Sequence, residues 1–141
     1  MNRRHFALAT ALFFIPLAAQ AQLARLTVNV QGLEPASGSL EVSVFNSAES
    51  FMQNPQIQQS MPVNGKDELS FQFSGLLEGT YAVVVVHDEN DNKALDSGFL
   101  GFGAESYGFS NDASAWFGWP SFESASVSVG KEDLAIVINL D

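Results

Sequence analysis

The fold is decided by residues 79–88, which read GTYAVVVVHD. Residues 81–86 are apolar without interruption, so the middle of this run has no polar face. A strand that is apolar on both faces is typical of the centre of a sheet that is covered on both sides. Gly79, just before the run, can adopt backbone angles that other residues resist. We therefore predict a central strand over residues 81–86.

Elsewhere in the chain, apolar and polar residues alternate with the period of two that is typical of half-buried strands. This pattern predicts an all-β fold, an antiparallel two-layer sandwich of about seven strands. A single helical turn is predicted at residues 47–52, because Pro55 limits its extension. The other predicted strands are residues 26–31, 40–44, 69–74, 124–129 and 134–140, with one more near residues 98–102.

The first 21 residues have the three parts of a secretory signal peptide. Arg3 and Arg4 precede an apolar run over residues 6–18, and residues 19–21 read AQA, a small-x-small cleavage site. The apolar run is shorter than the roughly 20 residues that a membrane-spanning helix needs. We predict a signal peptide at residues 1–21 and one β-sandwich domain at residues 22–141, in a periplasmic or secreted protein with no membrane insertion after cleavage.

The charge balance excludes several classes of function. The chain of 141 residues has 6 basic and 16 acidic side chains, and loss of Arg3 and Arg4 changes the balance to 4 − 16 = −12. Nucleic acid is therefore not expected as a partner, because binding it requires clustered Lys and Arg. The chain has no cysteine, which excludes disulfides, thiolate catalysis and Cys-ligated zinc.

An acidic loop directly follows the central strand and is a candidate calcium site. Asp/Asn oxygens at alternate positions of a tightly turning backbone suit hard cations, and the spacing here matches positions 1, 3, 5, 7 and 9 of a calcium-binding loop. Two features of that loop are missing, because Lys93 replaces the glycine at position 6 and Phe99 replaces the glutamate at position 12. A solvated acidic turn without an ion is the alternative, and both stay open. The candidate ligands are Asp88, Asn90, Asn92, the Ala94 carbonyl and Asp96.

His87 is the one histidine of the mature chain, so a multi-histidine metal site is excluded within one chain. We expect it to form a structural hydrogen bond that ties the strand end to the acidic loop or to the aromatic segment, rather than to act in catalysis.

Eight of the thirteen aromatic residues in the mature chain lie between residues 99 and 122, interleaved with glycines. A connection of this length is usually an organised functional loop or a cap with its own small core. We expect most of these aromatics to form such a core. Trp116, Phe117 and Trp119 are the exception, since they form the part expected at the surface, where aromatic clusters mark interaction sites.

Several motifs together resemble a family of secreted bacterial proteins, domain of unknown function 2141. They are the run at residues 79–90, Leu95-Asp96 after the acidic loop, GFSN at residues 108–111 and PSF at residues 120–122. The Gly-x-Tyr motif at residues 79–81 is also similar to transthyretin-like and collagen-adhesin B-type sandwiches. The resemblance implies an immunoglobulin-like or transthyretin-like sandwich and no particular activity.

Three functions follow from these patterns as hypotheses. The first is an exported, non-enzymatic module that binds an envelope protein or a glycan, stabilised by calcium at the acidic loop. The second is a small carbohydrate-active hydrolase that uses paired carboxylates. The third is a purely structural envelope module that assembles through a sheet edge. The carboxylates available to the hydrolase are Asp88, Glu89, Asp96, Glu105 and Asp112.

Overall fold

The structure is a computed structural model that describes residues 22–34, 37–91, 105–116 and 118–140. Strands account for most of the described chain, joined by one 3₁₀ turn at Ser110–Asp112 and one helical turn, α1, at Phe122–Ala125. The strands are β1 (Ala24–Gln31), β2 (Ser39–Phe45), β3 (Ile57–Pro62), β4 (Glu68–Leu76), β5 (Gly79–Asp88), β6 (Tyr107–Phe109), β7 (Ser126–Val129) and β8 (Leu134–Asn139).

The strands form two sheets. The first sheet has the order β4-β1-β8, and the second has the order β3-β2-β5, with β6 and β7 both paired to the far side of β5. The pairing of β1 with β8 is parallel, and the other pairings are antiparallel. The predicted all-β sandwich is therefore confirmed, and among the described residues it has eight strands rather than about seven.

The main core lies between the two sheets. It consists of the inward positions of alternating strands, such as Leu26, Val28 and Val30 of β1, which are fully buried. Their polar neighbours point away from the core, because successive side chains of a strand face opposite sides. The alternation of apolar and polar residues thus predicted correctly which side chains face the core.

β5 is buried on both faces, as its sequence predicts. Tyr81, Val83 and Val85 face the main core, whereas Ala82 and Val84 belong to a second cluster on the opposite face. We call this second cluster the outer cluster; its buried members are Phe45, Phe51, Ala82, Val84, Phe109, Ala115 and Ala125. Phe51 connects its parts, since its ring meets Phe45 edge-on at 5.4 Å and Phe122 at 5.9 Å.

Tyr81 fixes the point where the chain crosses from the first sheet to the second. Its ring is buried, and its hydroxyl donates a hydrogen bond of 2.9 Å to the carbonyl of Leu77, four residues upstream. A tyrosine at this kind of corner is a feature of immunoglobulin-type sandwiches. The wider likeness to immunoglobulin-like or transthyretin-like folds stays a prediction.

The sequence pattern missed two strands and assigned the start of one further strand to residues that form a helical turn. β3 and β6 were not predicted, and the strand predicted at residues 124–129 begins at Ser126, because Ser124 and Ala125 belong to α1. The hydroxyl of Ser121 accepts a hydrogen bond from Ser124 N and so caps that helical turn. Residues 48–53 form turns instead of the predicted helical turn.

Two predictions lie outside the described residues, namely the strand near residues 98–102 and the signal peptide at residues 1–21. Within the part of the chain that the structure describes, no helix has the length and apolar character needed to cross a membrane.

Candidate functional site

Residues 108–111, GFSN, close the far side of β5. Strands β6 and β7 lie end to end along this edge: β6 pairs with residues 84–86 and β7 with residues 79–82. Val83 falls in the gap between them. The buried hydroxyl of Ser110 fills the gap, because it accepts a hydrogen bond of 2.8 Å from Val83 N and donates one to the carbonyl of Ala125. One side chain therefore replaces a missing stretch of strand.

The neighbouring residues of the motif hold the segment against β8. A Cβ atom on Gly108 would lie 2.6 Å from Ile138 Cγ2 and 2.7 Å from the carbonyl oxygen of Asn139, so a larger residue would force the strands apart. Asn111 has a left-handed backbone, with φ of 59°, and its side-chain amide donates to the carbonyl of Ser124 at 2.9 Å. The motif therefore has a structural explanation at each of these positions.

The two tryptophans of the aromatic segment lie on the surface near this motif. Trp116 is 85% exposed and Trp119 is 43% exposed. Trp119 packs its ring edge-on against Tyr107 at 5.4 Å and Phe109 at 5.9 Å, which anchors it to β6. We call Trp116 and Trp119 the aromatic face. Phe117, which was predicted with them, lies outside the described residues.

A surface cavity of about 290 Å³ opens beside Trp116, and we call it the Asp112 cavity. Its wall combines the motif, Trp116 of the aromatic face and the end of β8. The lining therefore includes an exposed tryptophan, an aspartate, an asparagine and a serine. The lining residues are Gly108, Phe109, Asp112, Ala113, Ser114, Trp116 and Asn139.

Asp112 holds an unusual backbone conformation at the wall of this cavity. Its φ is 49°, directly after the φ of 59° at Asn111, so two non-glycine residues in succession are left-handed. The Asn111 conformation is supported by its bond to Ser124. The exposed carboxylate of Asp112 has no such bond to any residue that the structure describes. Strained residues of this kind cluster at functional sites.

The acidic loop is described only at its beginning. Asp88 is buried at the end of β5, and Asn90 is exposed two residues later. Asn92, Ala94 and Asp96 lie outside the described residues, so the predicted calcium site stays a prediction. Across residues 22–34, 37–91, 105–116 and 118–140, no three His, Asp or Glu side chains group closely enough to hold a metal ion.

Gly38 packs directly against the start of the acidic loop. A Cβ atom on Gly38 would lie 2.1 Å from the carbonyl oxygen of Asp88 and 2.7 Å from Glu89 Cα. With a φ of 75°, Gly38 also has a left-handed backbone. The loop therefore starts from a backbone position that the β1–β2 connection fixes.

His87 has a structural hydrogen bond, but with a different partner from either of those expected. Its side chain is fully buried, and Nε2 lies 2.7 Å from the carbonyl oxygen of Ser37. Because a carbonyl only accepts, Nε2 is the donor in this bond. The backbone N–H of His87 donates to the carbonyl of Ser106 at 2.9 Å. The side chain thus ties β5 to the β1–β2 connection, and the backbone ties it to the segment before β6.

A second cavity, of about 590 Å³, is lined mainly by residues of the first sheet, together with Met61 of β3 in the second sheet. The sequence carries no signal for this surface, because its polar residues are those that any half-buried strand turns outward. None of the predicted site residues lines it. Its lining residues are Asn29, Gln31, Met61, Lys66, Glu68, Leu69, Ser70 and Val137.

Sequence reasoning found the aromatic face and listed Asp112 only among the carboxylates of a hydrolase. It missed Asn139 and Ser114, because neither has a motif of its own. Asn139 comes to the cavity through the close approach of β8 to Gly108. A glycine that interrupts an aromatic run was the one signal for that approach.

Comparison with known proteins gives a family and no close relative. No curated protein and no solved structure matches the chain. A family profile described as "Uncharacterized protein conserved in bacteria (DUF2141)" matches residues 28–137, which run from β1 into β8 and include the motif at residues 108–111. On this match, the chain belongs to the domain of unknown function 2141 family.

Proposed function

We propose that the protein is an exported, non-enzymatic binding module of the bacterial cell envelope, and that the aromatic face contacts its ligand, an envelope protein or a glycan. The observation that carries the proposal is the 85% exposure of Trp116, whereas the other aromatic rings that the structure describes pack into the two clusters or against neighbouring rings. Leaving an indole in water forgoes the burial free energy of one of the largest apolar side chains. Exposed aromatic groups rimmed by polar residues mark binding sites.

The position of the candidate carboxylates favours binding over hydrolysis. A glycosidase needs two carboxyl groups on either side of the scissile bond, both within reach of the substrate. Asp88 and Glu105 are 7% and 5% exposed, so a substrate would have little access to them. Asp112 is the one described candidate that lines either cavity, and Asp96 lies outside the described residues.

Co-sedimentation with washed bacterial envelope fragments tests the proposed function. We expect the mature chain, residues 22–141, to pellet with the fragments, and Trp116→Ala to lose most of this binding. Leu77→Ala is a matched control, because Leu77 is a 54% exposed apolar side chain that lines neither cavity. Equal pelleting of the Trp116→Ala and Leu77→Ala variants, or no pelleting of the unmodified chain, would contradict the proposal.

The enzyme alternative has a separate test. Turnover of a polysaccharide substrate that Asp112→Asn abolishes, with Glu132→Gln fully active, would replace the binding module by a hydrolase. Glu132 is a suitable control because it is exposed and lines neither cavity.

We further propose that calcium stabilises the acidic loop. Asp88, Glu89, Asp91 and Asp96 oppose Lys93 alone, a net charge of −3 in nine residues, so a divalent cation would relieve repulsion. At tenfold excess over its dissociation constant, calcium would add about 1.4 kcal/mol to the free energy of unfolding. Thermal melting with calcium, magnesium or chelator measures this. Two results together would refute calcium binding. The unmodified chain would melt at the same temperature in calcium, magnesium and chelator, and the Asp88→Asn variant would melt at that same temperature.

A further inference from the structure

We infer that the ligand is a glycan and that the Asp112 cavity receives one uncharged sugar residue of it. This inference rests on the proposed function and adds the class of ligand. Three residues carry it, namely Trp116, Asp112 and Asn139, which line one cavity of about 290 Å³. This volume is just below the usual range for ligand pockets, about 300–1,000 Å³, and therefore suits a single small group.

The groups that line the cavity match the surface of a sugar. One face of a pyranose ring presents C–H groups, which pack on the flat face of an indole, and its rim presents hydroxyl groups that donate and accept. The Asp112 carboxylate accepts, the Asn139 amide donates and accepts, and the Ser114 hydroxyl accepts from Trp116 N at 3.3 Å and keeps its own proton to donate. Adjacent hydroxyls can therefore find both kinds of partner.

The charge of the cavity selects against anionic ligands. Asp112 is its one charged lining residue, and the described basic residues Arg25, Lys66 and Lys131 do not line it. A carboxylate or phosphate on the ligand would meet a like charge on a mature chain of net charge −12. An ammonium group would pair with Asp112 but offers no acceptor to Asn139 or Ser114, whereas the hydroxyls of an uncharged sugar can both donate and accept.

The left-handed backbone of Asp112, with a φ of 49°, holds an exposed carboxylate at the wall of the cavity. Aspartate is one of the few residues other than glycine that tolerate this conformation.

Titration with defined oligosaccharides tests the inference. The mature chain is titrated with cellopentaose, chitopentaose and maltopentaose as uncharged probes, with pentagalacturonate as the anionic probe, and with pentalysine as the cationic probe. Tryptophan fluorescence and calorimetry report binding. We expect at least one uncharged probe to bind, and pentagalacturonate to bind at least about tenfold more weakly, because of like-charge repulsion. Weaker binding of every uncharged probe than of pentagalacturonate or pentalysine would overturn the inference.

Variants then locate the site. Trp116→Ala and Asp112→Asn should each weaken binding of the uncharged probe by at least about tenfold, the effect of losing one strong contact. Asp112→Asn keeps the shape of the side chain and Asn tolerates the left-handed backbone, so its folding is preserved. Leu77→Ala and Glu132→Gln are the matched controls and should bind like the unmodified chain. Unchanged binding by both site variants would overturn the assignment of the cavity.

The two proposals fail in distinguishable ways. If envelope fragments bind the chain through Trp116 but none of the three uncharged oligosaccharides binds, the binding module stands and the sugar assignment is wrong. Protease treatment or glycan digestion of the fragments separates the two ligand classes. If protease treatment abolishes co-sedimentation of the chain and glycan digestion leaves it unchanged, the ligand is a protein and the sugar assignment is again wrong. If fragments do not bind at all, the proposed function itself is wrong.

Discussion

Replacement of Ser110 by alanine is the most direct test of how the second sheet is held together. The Ser110 hydroxyl is fully buried and serves Val83 N and the Ala125 carbonyl at once. Alanine keeps the backbone and removes both bonds, so one donor and one acceptor remain buried without a partner. Each such group costs about 1–3 kcal/mol. For the two groups together, we therefore expect the free energy of unfolding to fall by about 2–6 kcal/mol, a large part of the about 5–15 kcal/mol of a typical domain.

Urea unfolding followed by circular dichroism measures this loss. At roughly 4 °C per kcal/mol for a domain of this size, the melting temperature should fall by about 8–24 °C. Ser128→Ala is the matched control, because Ser128 is exposed on β7 close to the same edge, and its effect should stay within about 0.5 kcal/mol. A loss for Ser110→Ala no greater than that of Ser128→Ala would refute the role of this hydroxyl.

Three further substitutions test other parts of the fold. Gly108→Ala should destabilise by about 1–3 kcal/mol in chemical denaturation, because its Cβ would overlap Ile138 and Asn139; a neutral effect would contradict the close approach. Tyr81→Phe should cost about 0.5–1.5 kcal/mol through loss of the bond to Leu77, and an unchanged free energy of unfolding would show that this bond does not stabilise the corner. Asp112→Gly should be about 1 kcal/mol more stable than Asp112→Ala, because glycine accepts the φ of 49° without strain; equal melting of the two would indicate that this backbone is unstrained.

The sequence predicted those parts of the fold in which burial alone sets the pattern. β5 was recognised because its apolar run must be covered on both faces, and β1 and β8 because apolar residues alternate along them. β3 was missed because it is an edge strand in which Gln58 and Gln59 interrupt the apolar pattern. β6 was missed because three residues are too few to have a period.

The candidate site was predicted only where the signal is local. Two tryptophans close together in a glycine-rich run are visible in the sequence, and both are exposed. The Asp112 cavity could not be predicted, because Asn139 reaches it from a strand about thirty residues further along the chain. The left-handed backbone at Asp112 was equally hidden, because aspartate does not require it and glycine would have been the expected residue there.

The parallel pairing of β1 with β8 determines how early the protein can complete its fold during synthesis. Leu26 lies beside Leu134, so the first sheet cannot be completed until a segment more than a hundred positions downstream has been synthesised. Until then, one edge of β1 is unpaired, and the nascent chain cannot reach its native structure. For the export proposed above, this late completion would favour a route that carries unfolded chains.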